Sequence, residues 1–245
     1  MLNRFKRFIT SPRKFLRNLS LQILWNLEIP IKHQSAGAIH VDLGSGNQPR
    51  NPFGASNLIG TDFHSGFTTD SEVQFVKCDL TKRLPFNDNS IDSMSAFDVL
   101  EHIPRWERTS DSIEFPFINL MNEISRCLKP GGFFVAVTPS YPSDQAFQDP
   151  THVNFISPVT IRYFVGPKPM ADHLGYGFNG DFELVCQTWV LSDSVFHDFD
   201  STKITKPKFS SYLFQPVTIL LILKLWFRHT FGKPSHLLWV TRKPF

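Results

Sequence analysis

Residues 38–46 read AIHVDLGSG. A short run of apolar and β-branched residues ends in an acid and then passes into two glycines, the form of a buried parallel strand feeding a tight turn where backbone can approach a ligand closely. The same form recurs along the chain: 58–61 is followed by Asp62, 73–78 by Asp79, 91–97 by Asp98, and 133–138 by Pro139. Five strands are expected, four of them closing beside a carboxylate. Between the last two, Ile113, Phe117, Leu120, Met121, Ile124 and Leu128 recur at helical spacing over 110–128, and Lys129-Pro130-Gly131-Gly132 then stops the helix. Right-handed crossovers place such strands in one parallel sheet, whose ligands bind at the carboxyl ends of the strands near the switch point. Two later runs, 182–191 and 236–241, read as a closing strand pair.

The expected fold class is therefore α/β: a doubly wound, Rossmann-like, mostly parallel seven-stranded sheet with an antiparallel closing strand, an N-terminal helix and a helical C-terminal insertion. A chain of 245 residues with 41% hydrophobic content can fill the core of one such domain, which excludes disordered and collagen-like classes. Cys78, Cys127 and Cys186 are far apart and in no C-x-x-C spacing, so neither a disulfide framework nor a zinc site follows, and a reducing, cytoplasmic-type compartment is expected.

Charge is distributed unevenly. Residues 1–33 carry seven Lys or Arg against one acid, 34–202 carry ten against 21, and 203–245 carry eight against none. An acidic middle thus lies between two basic ends, which suit an anionic partner such as a membrane surface or nucleic acid. Ser11-Pro12 reads as an N-cap and first helical position, with Phe15, Leu19, Ile23 and Leu27 on one face and Arg13, Lys14 and Arg17 beside it. A secretory signal is rejected, because Gln22, Asn26 and Glu28 interrupt the apolar stretch and cleavage after Ala38 would cut into the first strand. VTILLILKLWF at 217–227 is shorter than the roughly 20 apolar residues needed to cross a bilayer, and reads as a buried or interfacial helix. The organisation expected is a basic amphipathic extension over 1–33 and one domain over 34–245 with an insertion at about 195–234, cytoplasmic, with peripheral contact at the membrane. No nucleic-acid module is apparent.

A glycine turn alone is a weak signal. A dinucleotide fold wants a third glycine near Pro49, which demotes nicotinamide-dependent hydride transfer. Four elements in order are far more specific: VDLGSG (41–46), GTD (60–62), CDL with LPFNDNSID (78–80, 84–92), and FDVLEHI with LKPGG (97–103, 128–132). On these the chain resembles the class I S-adenosylmethionine-dependent methyltransferases, notably the type 11 group, over residues 38–140.

The resemblance implies S-adenosyl-L-methionine as cofactor and a role for each matching residue. Gly44 and Gly46 would let backbone amides approach the methionine portion, and Asp42 would accept from its amino group, directly or through water. Asp62 sits where a carboxylate binds both ribose hydroxyls, since it can accept two donors at once. Asp79 would accept from the adenine amino group and the Leu80 amide would donate to the ring, while Phe97 and Asp98 pass the methionine end. Glu101 and His102 belong to the motif and are open to a packing role as much as a chemical one. One departure is that NQPRNPFGASN (47–57), where the family usually places its first helix, contains Pro49 and Pro52 and must be an irregular loop, from which Arg50 could reach a carboxylate or phosphate.

Methyl transfer asks the protein to align an acceptor and exclude water, and it requires no metal. A hydroxyl acceptor also needs a base. The segment DPTHVNF (149–155), after the fifth strand, supplies His152, with Asp149 to orient it. The expected function is O-methylation of a small-molecule, glycan or lipid-linked acceptor. The alternatives are a cofactor-binding scaffold acting through its basic ends without turnover, and the oxidoreductase.

Overall fold

In a computed structural model of the chain, residues 36–64, 73–190 and 235–245 are described. The expected basic extension and the expected insertion lie outside the described residues. Seven strands form one sheet: β1 (Ile39–Leu43), β2 (Asn57–Asp62), β3 (Gln74–Lys77), β4 (Ile91–Phe97), β7 (Leu128–Pro139), β8 (Glu183–Val190) and β9 (His236–Arg242). They lie in the order β3-β2-β1-β4-β7-β9-β8, and β9 is antiparallel to both its neighbours while the remaining pairs are parallel. Chain order reverses between β1 and β4, which puts the ends of those two strands at the switch point.

The central strands carry apolar side chains to both faces, as burial on two sides demands. On one face Val41, Leu43, Met94, Phe134 and Trp239 join the larger core, against which the helix α1 (Pro116–Cys127) packs Phe117, Leu120, Met121 and Ile124. On the other, Phe133, Val135, Val137, Leu238 and Val240 pack with Phe53, whose ring centroid is 5.9 Å from that of Phe133. Phe53 comes from the 47–57 loop, which is irregular as its two prolines require and is closed by Asn51, whose side chain bonds both the amide and the carbonyl of Ala55.

The helix is shorter than its periodicity suggests. Ile113 lies in the two-residue strand β6 (Ile113–Glu114), is 60% exposed, and belongs to a hairpin with β5 (Glu107–Arg108). The Thr109 amide donates to the Ser112 carbonyl at 2.9 Å and the Ser112 amide to the Thr109 hydroxyl at 3.0 Å, so local turn chemistry captures 109–112, and Pro116 begins the helix. At the other end β7 starts at Leu128, directly after the helix and five residues before the expected start at Phe133, with Leu128 paired to Ile91. Lys243 donates to the carbonyls of Ser125 and Leu128, satisfying helix-end acceptors with a cation.

Arg126 explains the LPFND segment. Its guanidinium donates to the carbonyls of Leu84 and Phe86 and to the carboxylates of Asp88 and Glu123, and Glu123 accepts from the Leu84 amide. The Arg126 side chain is 16% exposed and that of Glu123 15%, so this pair is held largely away from water, whereas Asp88 lies at the surface. Arg126→Ala should destabilise the fold by about 2–3 kcal/mol, because two carbonyls and a half-buried carboxylate lose their donor. Urea unfolding checks this; a midpoint within error of wild type would show that the clasp is dispensable.

Candidate active site

The acids read from the sequence do reach one edge of the sheet, but they are not equivalent there. Asp42 is fully buried. Its carboxylate accepts from the Ser95 hydroxyl at 2.5 Å and from the Arg50 amide at 2.8 Å, and Ser95 in turn meets His40, whose other ring nitrogen meets Ser93. Burial pushes the Asp42 carboxyl up to about 6, against the opposing pull of the Arg50 charge and the Ser95 and Arg50 hydrogen bonds. Asp42 therefore anchors the 47–57 loop to the switch point. The Arg50 side chain lies over the Phe97 ring, 4.7 Å from its centroid, with a donor 3.5 Å from the Phe97 carbonyl, so Phe97 and Arg50 form one wall.

The two glycines of the turn are needed for different reasons. Both have positive φ, +60° at Gly44 and +54° at Gly46. A Cβ at Gly44 would lie 2.4 Å from Val99 Cγ2, so this glycine lets β1 pass the segment after β4, whereas a Cβ at Gly46 would meet nothing within 4 Å. Open space beside Gly46 is what a ligand approaching the turn requires.

Asp62 borders that space. Its Oδ2 accepts from the Gly46 amide at 3.1 Å and its Oδ1 from the His64 amide at 3.0 Å, which leaves lone pairs on both oxygens. Phe63, next in sequence, is 59% exposed. One strand further out, Asp79 accepts on Oδ1 from the amide and hydroxyl of Thr81, while among the described residues Oδ2 and the Leu80 amide take part in no hydrogen bond. At the end of β4, Asp98 has φ +55°, a conformation that costs a non-glycine residue energy and is held here by its amide bond to the Val137 carbonyl. His236 Nε2 stands 3.2 Å from the Asp98 carboxylate. Nothing in the sequence pattern joins those two residues; the position of β9 beside β7 does.

A second group of side chains lies just beyond β4. Glu101 is buried and accepts from the Thr138 hydroxyl at 3.0 Å. Burial pushes its carboxyl up to about 8; the nearby carboxylates of Asp98 and Asp149 push the same way, while its own amide and Thr138 pull back. The amides of Val153 and Asn154 both donate to the Glu101 carbonyl at 2.9 Å, which pins the 149–155 loop over the motif. Asp149 accepts from the Thr151 amide and hydroxyl, an arrangement that holds its carboxyl below the usual range, and the Thr151 hydroxyl also lies 3.0 Å from His102 Nδ1. Asp149 thus reaches His102 through Thr151. His152 Nδ1 faces the Ala146 carbonyl at 3.3 Å, and its ring stands edge-on to His102 with centroids 4.9 Å apart. The sequence pointed to His152 and Asp149; Thr151 and Thr138 carried no signal of their own.

The raised Glu101 carboxyl has a consequence for stability. The folded state holds this proton more tightly than the unfolded chain, where the carboxyl ionises near 4.5, so folded protein carries more protons between pH 4.5 and about 8. Stability contributed by the neutral acid is complete below that window and is lost as pH rises through it, by several kcal/mol. Thermal melting from pH 5 to 9 should show this decline, and Glu101→Gln should flatten it; an equal slope in both proteins would assign the decline elsewhere.

The donor set fits an adenosyl cofactor: open space at Gly46, acceptors with spare lone pairs at Asp62 and Asp79, an uncommitted amide at Leu80, and carboxylates to favour a sulfonium cation. The family described as Methyltransferase domain matches residues 41–136, the segment from β1 through β7 that contains every one of these groups. A SAM-dependent methyltransferase from Archaeoglobus fulgidus shares the fold with a TM-score of 0.51 at 18% identity, over 92% of this chain and 94% of that one. An S-adenosylmethionine-dependent methyltransferase from Mesorhizobium loti aligns with a TM-score of 0.47 at 15% identity, over 89% and 96%. No curated sequence relative matches the chain. No helix among the described residues is long and apolar enough to cross a membrane. With the motif order, the strand order and the matched segment in agreement, residues 41–136 form the methyltransferase domain of an S-adenosylmethionine-dependent enzyme.

Proposed function

We propose that the chain methylates a hydroxyl group on a small-molecule, glycan or lipid-linked acceptor, bound where the 149–155 loop overhangs the end of β4. S-adenosylmethionine, when bound, supplies a methyl group already activated on its sulfonium. Asp62 holds the ribose hydroxyls, Asp79 and the Leu80 amide hold the adenine, and Gly44, Gly46, Phe97 and Asp98 frame the methionine end. Asp42 acts on that end through the loop it anchors. His152 would take up the proton that the acceptor hydroxyl gives up as it is methylated.

The observation that carries the assignment is the tie between His152 Nδ1 and the Ala146 carbonyl. A proton on Nδ1 leaves the Nε2 lone pair to receive one, which is the tautomer a base needs. Tyr141, Phe147 and Phe155 are exposed beside this loop, with the last two rings stacked 4.8 Å apart, a surface suited to a sugar ring or an acyl chain. The basic stretches at 1–33 and 203–245 favour an acceptor that is anionic or carried at a membrane. Incubation with methyl-labelled cofactor and separated cell fractions tests the proposal. Alkali-stable label in a lipid or glycan fraction is expected; label confined to protein, RNA or alkali-labile esters contradicts it.

A further inference from the structure

We infer that Glu101, His102 and His152 form a binding site for one divalent transition-metal ion. One ligand atom from each of the three lies within 4.8 Å of the others. Ligands about 2.05 Å from a tetrahedral ion stand roughly 3.3 Å apart, so the ligand atoms must draw together by at most about 1.5 Å to close on one ion.

Independent features around the three residues point the same way. Histidine ligands commonly donate their second ring nitrogen to a fixed acceptor, which orients the ring and frees the other nitrogen for the metal. Both rings have such a partner here. His152 Nδ1 faces the Ala146 carbonyl at 3.3 Å, and His102 Nδ1 lies 3.0 Å from the Thr151 hydroxyl, which itself donates to the Asp149 carboxylate at 2.7 Å. The Glu101 carboxylate is the third element. It is only 2% exposed, it accepts from Thr138, and the charged groups acting on it are the carboxylates of Asp98 and Asp149. A buried acid beside two carboxylates, with no Lys or Arg ion-paired to it among the described residues, is the environment a cation relieves. Arg105 is turned away to the Asn154 side chain and the Phe155 carbonyl. Two imidazoles and one carboxylate select zinc, cobalt, nickel or iron over magnesium or calcium, which prefer oxygen ligands. His102 is exposed and His152 half-buried, so the ion can enter from solvent, and three protein ligands leave a tetrahedral ion one position for water or substrate. An ion there takes the lone pair assigned above to the acceptor proton, so metal loading and base action by His152 exclude one another.

Titration of the chelator-treated full chain with cobalt(II) tests the site without any turnover. One equivalent is expected to produce visible d–d absorption, and zinc should bleach it by displacement. His102→Ala, at an exposed position, and His152→Ala should each weaken cobalt binding by at least about tenfold, while His173→Ala should leave it unchanged. Absence of the band, or equal affinity in all four proteins, would overturn the site. Because cobalt binding is read in the absence of methyl transfer, a failure of the hydroxyl-methylation proposal leaves this result standing, and the reverse also holds.

Discussion

Asp62→Ala should abolish cofactor binding. In the proposed site the carboxylate accepts from both ribose hydroxyls, and hydrogen bonds to a charged group contribute about 1.5–3 kcal/mol each, so losing two should raise the dissociation constant for S-adenosylhomocysteine by roughly 10²- to 10⁴-fold. Part of that loss comes from the turn, since the Gly46 and His64 amides lose their acceptor as well. Asp62→Asn separates the two contributions: an amide oxygen still accepts from one backbone amide but cannot take both hydroxyls, so it should keep the melting temperature near wild type and still lose most of the affinity. Calorimetric titration with S-adenosylhomocysteine measures both variants. Wild-type affinity in Asp62→Asn would remove the carboxylate from the cofactor site.

His152→Ala should separate chemistry from binding. A positioned base is worth about 10²- to 10⁴-fold in rate, and the imidazole lies beyond β4 rather than at the Gly46 turn. The turnover number should fall by that factor, with affinity for S-adenosylhomocysteine within about twofold of wild type. Asp149→Ala should cost less, because its carboxylate reaches Thr151 and through it His102 rather than the His152 ring. Single-turnover methylation with labelled cofactor gives the rate. An unchanged rate in His152→Ala would move the base to another group or show that the acceptor needs none.

How much of this was legible before the structure follows from how local each signal is. The strands β1, β2, β3, β4 and β7 were legible because each short apolar run closes in an acid or a proline, and these are properties of a few adjacent residues. The helix was legible in its buried stripe and not in its start, since Ile113 continues the helical spacing while the Thr109–Ser112 hydrogen bonds claim the backbone for a hairpin. In the site, the strand-end acids could be found one by one, but their differences could not. Asp42 turns inward because Ser95 of the neighbouring strand and the Arg50 amide fill its carboxylate, and that pairing depends on sheet register. The contacts of Glu101 with Thr138, of His102 with Thr151 and of Asp98 with His236 likewise join segments distant in the chain. Only the strand order brings them together.

A crystal structure of the chain with S-adenosylhomocysteine tests most directly whether the carboxylates at successive strand ends converge on one ligand. The ribose hydroxyls are predicted within hydrogen-bonding distance of Asp62, the adenine against Asp79 and the Leu80 amide, and the sulfur between the Gly46 turn and the end of β4. A ligand seated away from Asp62 and Asp79, or ribose hydroxyls facing solvent, would contradict the account.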